Sequence, residues 1–486
     1  MKKFLSMIAI VSVLAFTLAC NDDETTPDGP SITAPEAADV LVGESTDITF
    51  NVTIPGGYKS TEIVVEGGTG VVASEPAAGA TSGDVVVTFT SDAVAGDASI
   101  EITVTDNNNK VNTEIASLSK GNQVTVTANI TTNTTWKTGR VYVLASRITV
   151  VSGVTLTVEP GVIIKGQAGT GSNATALLIA RGGKIMAEGT AAAPIIFTTV
   201  ADEIEPGMIK SPNLDPTLNG LWGGLIVLGK APISASANEI QIEGIPTSDS
   251  NGLYGGSDAA DNSGVIKYVS IRHGGSLIGS GNEINGLTLG GVGSGTVIEN
   301  IEIVANQDDG IEFFGGTVSV KNALVWNSFD DALDTDQAWN GTVDNFIIVA
   351  PNTGSGFELD GPEGTLKQGD HIFKNGTVYA GANIADLIDF DANSNVQMSN
   401  IYFYGISNAT AVKEYAAMIA FAASTSSVAS FQYTLPADKD AAVVFAGIPA
   451  DKLTSVALNA NTVGADKTKF TWTWASQSGA LTTIGL

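Results

Sequence analysis

Cysteine is almost absent from this chain. Cys20 stands alone, so no disulfide can close within one molecule. Histidine is nearly as scarce, and with only His273 and His371 beside one cysteine a zinc site of the Cys/His kind is excluded. Positive charge is thin: 23 Lys and Arg face 51 Asp and Glu, a net charge of −28. Such a balance excludes a nucleic-acid partner, whose phosphates need basic patches, and argues against anionic lipid headgroups. It is compatible with divalent cations. Gly-x-Ser-x-Gly, the nucleophile elbow, does not occur. The glycine run GGVGSG at 290–295 has no lysine and no strand-then-helix setting, so it is not a phosphate loop. Helical patterning is sparse, whereas 55 glycines accompany abundant Val, Ile and Thr; the composition predicts an all-β protein.

What is present begins at the N-terminus. Met1-Lys2-Lys3 precedes an apolar run over 4–19, too short for a comfortable membrane span and shaped as a secretory signal over 1–19. Cys20 directly after Leu18-Ala19 resembles a bacterial lipoprotein lipobox, in which the thiol is lipidated and becomes residue one. Residues 20–30 are acidic and carry prolines, which predicts a disordered tether. Acidic residues straight after the lipidated cysteine resemble the surface-export signal of Bacteroidota lipoproteins. That resemblance implies an outer-membrane, lipid-anchored protein facing the cell exterior, in contact with the membrane through the lipid alone. Residues 31–117 alternate apolar and polar over runs such as 47–54, 84–90 and 99–105, with turn clusters between. This spacing predicts a small β-sandwich, and it resembles the immunoglobulin-like modules that serve as spacers.

From 122 to 405 the strands shorten to three to five residues, divided by glycine turns. A phrase headed by asparagine returns at Asn300, Asn322, Asn345, Asn375 and Asn400. Four of these are followed by an acidic phrase: DDGIEFF (308–314), DDALDTD (330–336), GSGFELD (354–360) and ADLIDFD (385–391). Repeats of this size predict a solenoid, here a parallel β-helix with coils one strand spacing, ~4.8 Å, apart. The asparagines read as a structural corner ladder, amide bonding to amide between rungs. The phrases LTVEPGVIIKG (156–166), RGGKIMAEGTAAAPIIFTT (181–199), GLWGGLIVLGKAPI (220–233), INGLTLGGVGSGT (284–296) and the terminal FTWTWAS (470–476) resemble a family of Bacteroidota surface lipoproteins of right-handed parallel β-helix, pectin-lyase-like fold. The resemblance implies the fold and a surface location, and it transfers no activity. Over 406–486 a helix at 410–423 is expected to cap the solenoid, with a β-rich segment after it.

Side chains in a strand alternate, so with Ile311 and Phe313 inward, and their equivalents in the other repeats, the residues between must face out. One outer column holds Glu312, Asp334, Glu358 and Asp389; the next holds Phe314, Asp336, Asp360 and Asp391; the preceding turn supplies Asp309, Asp331, Ser355 and Asp386. Two like charges at ~5 Å repel by roughly 1 kcal/mol in water and by several times that where water is partly excluded. Three resolutions are open: screening by solvent and salt, calcium bound by the clustered oxygens, or catalysis by a carboxylate pair. The aspartate phrases loosely echo β-helical polygalacturonases, but the companion Gly-His-Gly and Arg-Ile-Lys motifs are missing. A lyase would need a Lys, Arg or His base; His273 and His371 are the two histidines, and Arg272-His273 and Lys367 are the conceivable bases, against the plainer reading of surface polar residues. The irregular stretch 200–262 offers Trp222 and Tyr254 as sugar-stacking rings, unless each is buried beneath its loop. The expectation is a surface lipoprotein that binds a glycan or other surface ligand without chemistry, with calcium as its ion. The alternative is a polysaccharide-active enzyme, hydrolase or lyase, using the acidic face.

Overall fold

The computed structural model describes residues 27–277, 283–349, 353–367, 369–406, 411–421 and 424–486. The signal segment, Cys20 and the first part of the tether lie outside the described residues. No described helix is long and apolar enough to cross a membrane. The chain divides into two units, Met1–Asn122 and Gln123–Leu486.

The first unit is a sandwich of two four-stranded sheets. Ser31–Thr33, Ser45–Thr53, Ser82–Ser91 and Gly68–Ser74 form one; Ala38–Leu41, Val111–Gly121, Gly96–Asp106 and Tyr58–Glu66 form the other. Period-two alternation sends Phe50, Val52, Val87, Phe89, Ile102 and Val104 into one buried cluster, while their neighbours stay half-buried or exposed. The last strand runs to Gly121, past the boundary at 117 that the turn pattern suggests, because it pairs along its length with Gly96–Asp106.

The second unit is a right-handed parallel β-helix. An early coil is three short strands, such as Ile148–Val150, Thr155–Val158 and Ile163–Gly166. From Gly264–Arg272 onward, two of the three fuse into one bent strand. Its first half pairs with Lys184–Glu188 and its second half with Ile195–Thr199. The bend is a single residue with positive φ: Tyr268 (50°), then Asn300, Asn322, Asn345, Asn375 and Asn400, each between 57° and 63°. Asparagine tolerates this left-handed conformation better than most residues, and its amide adds a lateral bond. Asn322 Nδ2 donates to Asn300 Oδ1 at 3.0 Å, Asn345 to Asn322 at 2.7 Å, and Asn400 to Asn375 at 3.1 Å. Between Asn345 and Asn375 the ladder breaks. Asn375 donates instead to Asp344, and Asn345 Oδ1 accepts from the backbone of Asp466.

The remaining strands stack as a nine-stranded parallel sheet, among them Leu225–Leu228, Leu287–Gly290, Ile311–Phe314, Leu333–Asp336, Phe357–Leu359 and Ile388–Phe390. Their inward residues, with Phe346 and Phe373 from the facing side and Trp339 from the turn after Leu333–Asp336, fill one continuous core. Phe313 stacks on Trp339 at 4.2 Å. Thr335 is the polar member of the inward row. Its hydroxyl is paired with His371 Nδ1 at 2.9 Å, and burial pushes that imidazole down to about 4. His371 is therefore a neutral core residue.

The C-terminal region departs from expectation. The helix is only Tyr415–Ala420; it presses Tyr415 and Met418 into the end of the core, Tyr415 against Phe390 at 5.9 Å. The segment after it is not β-rich. Beyond Phe431–Tyr433 the described residues hold one strand, Leu453–Ser455, and several short helices. This segment docks along the flank of the long sheet. Phe470, Trp474 and Leu481 cover Val304, Leu324, Trp326 and Ile347, an outward apolar strip that would otherwise face water. Ala475 N donates to Glu302 Oε1, and Arg272, fully buried beside Glu302, lies under the Trp474 ring at 4.8 Å. Arg272 and His273 are consequently buried beneath the C-terminal segment, where neither can serve as a base.

Candidate functional site: a buried acidic column

Strand register builds the site. Glu312 is paired with Asp334, Asp334 with Glu358, and Glu358 with Asp389, so the outer column runs through four consecutive rungs. Phe314 is paired with Asp336, and Asp360 and Asp391 follow at the corresponding strand ends. In the preceding turn the aspartates have a structural task. Asp331 N donates to Asp309 Oδ1 at 2.9 Å, and Ser355 N donates to Asp331 Oδ1. Each carboxylate thereby satisfies an amide of the next rung.

The expected open acidic face is not open. Asp309, Glu312, Asp331 and Asp334 keep only 5–8% of their surface exposed. Solvent screening is accordingly weak at its centre. Glu358, Asp336, Asp386, Asp389 and Asp391 are half-buried, and Asp360 is exposed. Burial, then Asp334, pushes the Asp309 carboxyl well above its usual range; burial and then Asp309 do the same to Glu312, and burial and then Glu312 to Asp334. Asp336 rises to about 8 by burial and the Glu363 carboxyl, and Glu358 to about 9 by a hydrogen bond to Asp331 and by burial. Asp308 rises to about 7 by burial and Glu243. Among the described residues the ion pairs reaching the column come from Lys413, to Asp386 at 2.6 Å and Asp389 at 2.9 Å. That lysine stands at the far end from Glu312.

Two groups of carboxylates bring oxygens within 4.8 Å of one another: Asp308, Asp309 and Asp330, and Asp309, Glu312 and Asp334. Beside the second lies Asn285, 1% exposed, whose Nδ2 contacts Glu312 Oε2 and whose Oδ1 has no partner. The donor set is oxygen throughout. It suits a hard divalent cation such as calcium, which takes six to eight oxygens; an orphaned amide oxygen beside three clustered carboxylates is what such an ion would use.

Repeat alignment alone misses Asn285, although the signal is in the sequence. Asn285-Gly286-Leu287 occupies the place of Asp309-Gly310-Ile311 one rung earlier, with Leu287 paired to Ile311. Asp308 and Asp330 stand in plain view as the first members of two Asp-Asp pairs. Glu243, Glu283 and Glu363 come from irregular segments and carry no periodic signal.

The rings expected to stack on sugar do not do so. Trp222 is fully buried, stacked near Phe197 and donating from Nε1 to Arg272 O at 2.7 Å. Tyr254, 1% exposed, lies edge-on to Phe314 and donates its hydroxyl to Gln337 Oε1 at 2.9 Å. Each ring is interior packing with its polar atom satisfied. Lys367 is exposed, its ammonium 5.0 Å from the Phe421 ring.

The chain belongs to the pectate-lyase-like beta helix domain family, which it matches over residues 128–477. Known structures similar to it are a variant of the SrpA adhesin of Streptococcus sanguinis (16% identity, 22% of this chain and 68% of that one, TM-score 0.17), the catalytic unit of a thermostable GH87 alpha-1,3-glucanase of Streptomyces thermodiastaticus (11%, 84% and 81%, TM-score 0.24) and a family 28 exopolygalacturonase of Yersinia enterocolitica (11%, 84% and 86%, TM-score 0.17). At these scores none carries an argument about this chain's activity. No curated protein matches it.

Proposed function

We propose that this protein is an outer-membrane lipoprotein of the Bacteroidota type, anchored through Cys20 and facing the cell exterior. Its β-helix binds a glycan or another surface ligand without acting on it chemically, and calcium stabilises its acidic column. One observation carries the non-enzymatic reading: Asp309, Glu312, Asp331 and Asp334, the centre of the column, are buried. A polymer chain cannot lie on Asp309, Glu312 and Asp334, whereas their oxygens, within 4.8 Å of one another, are spaced to surround a single ion. Calcium would be held by Asp309, Glu312, Asp334 and the free oxygen of Asn285, with Asp308 and Asp330 at the entrance. It would supply the positive charge that Lys413 supplies only at the other end.

The enzyme reading keeps one observation in its favour. Glycoside hydrolysis needs one carboxylic acid and one carboxylate side by side, and Glu358, raised to about 9, sits between Asp331 and Asp389 in the half-buried part of the column. The experiment that separates the two uses cells displaying the full chain or its Cys20→Ser variant. The proposal predicts surface display, and retention of soluble polysaccharide by intact cells, that depend on Cys20, with no reducing ends or unsaturated sugar released. Release of either product from the retained polysaccharide, abolished by Glu358→Gln, would establish the enzyme instead.

A further inference from the structure

A cavity of about 660 Å³ lies between the late rungs, the segment around Leu435 and Pro436, and the C-terminal turn. Its volume is within the roughly 300–1,000 Å³ of small-ligand sites. Tyr379 and Tyr404 form one wall. They end consecutive strands, face each other in register, and hold their rings 5.2 Å apart at 60°. The Tyr404 hydroxyl donates to Ile484 O at 3.0 Å, which fixes the C-terminal turn as the opposite wall. Gly405 has φ +68°, and a Cβ there would collide with the Tyr379 ring; glycine at this place lets the ring lie along the wall. Tyr379 is half-buried, and its hydroxyl has no hydrogen-bond partner among the described residues. Leu458, 56% exposed, marks the mouth, and Thr482 adds an exposed hydroxyl.

Among the described residues, none that lines this cavity carries a charge, in a chain whose net charge is −28. An anionic ligand would be repelled by the molecule's field and would find no partner inside; a cation would be desolvated without compensation. The chemistry that fits is a neutral ring with apolar faces and hydroxyls at its edge, because tyrosine offers an apolar face with a polar tip and the threonines offer hydroxyls. We propose that this cavity binds a neutral sugar residue, an inference that rests on the glycan-binding reading above and gives it a place distinct from the acidic column.

Saturation-transfer NMR on the purified full-length protein tests it, with the methyl glycosides of glucose, galactose and mannose and with octyl β-glucoside below its micellar concentration. Transfer to sugar-ring protons is expected in the wild type. It should fall at least tenfold in Tyr379→Ala and in Leu458→Trp, which narrows the mouth without touching the core, and should persist in Asp334→Asn. Transfer confined to the octyl chain would overturn the proposal in favour of an apolar ligand. No transfer to any probe, or equal transfer in both cavity variants, would also overturn it. If cells bearing both cavity variants still retain polysaccharide, the cavity is refuted while the adhesive reading stands. If wild-type cells retain none, both fall together.

Discussion

Asp309, Glu312 and Asp334 share one buried space, and burial first, then a neighbouring carboxylate (Asp334 for Asp309, Asp309 for Glu312, Glu312 for Asp334), raises the proton affinity of each. Their folded-state values, like those of Asp336 at about 8 and Glu358 at about 9, lie above the roughly 4 of an unfolded carboxyl. Between those limits the native state binds more protons than the unfolded one, so metal-free stability must fall as pH rises from about 4 through 9. Denaturation of the chelated protein at pH 5 and at pH 8.5 checks this, with the lower midpoint expected at pH 8.5. Asp334→Asn removes one of the mutually repelling groups and should narrow the difference. The asparagine ladder gives a second prediction. Asn322 has φ 57°, donates to Asn300 and accepts from Asn345. Asn322→Ala loses both bonds at about 1 kcal/mol each and adds left-handed strain of roughly 1 kcal/mol, for about 3 kcal/mol in urea denaturation. Asn322→Gly keeps the backbone unstrained and should cost about 1 kcal/mol less. At this scale the sequence was readable wherever a role repeats: each asparagine and each column acid recurs at one place per rung. Thr335 breaks the apolar row by standing in register with Phe313 and Leu359, and its pairing with His371 depends on which rung delivers the imidazole, which no spacing reveals.

Among the elements, the C-terminal segment differs most from its expected form. Its Phe-Thr-Trp-Thr-Trp run has strand composition and alternation, yet it forms the turn between two short helices, with the Phe470 and Trp474 rings on the flank of the sheet. Local propensity is a weak guide there, because the apolar strip formed by Val304, Leu324, Trp326 and Ile347 exists only once the rungs have stacked. Trp474 touches Trp326 at 5.8 Å and lies over Arg272. Trp474→Ala should therefore cost about 3–5 kcal/mol, as large core truncations do, and should speed hydrogen exchange at Ala475 and Asp466, whose amides bond to Glu302 and Asn345. The nine-stranded sheet was legible in advance because period two and a coil-length repeat determine both which side chains face inward and which rungs adjoin.

Over the whole molecule, two units each carry a core of their own. Residues 27–122, produced alone, should unfold in one cooperative urea transition. In the β-helix, the segments that break the repeat rhythm determine how the repeats are used. Stacking lays out the acidic column, but loops such as the one carrying Glu243 make it a buried site. Alternation says only that a side chain leaves the core, not that it reaches water, and so the sequence placed the carboxylates correctly and misjudged their surroundings. Calorimetric titration of calcium into the chelated full-length protein at pH 7.5 decides whether the buried column holds the proposed ion. Saturable heat is predicted, with a rise in melting temperature equivalent to about 2.7 kcal/mol at a hundredfold excess over Kd, and loss of both in Asp309→Asn/Asp334→Asn. No heat and no shift in the wild type, or undiminished heat in the double variant, would contradict it.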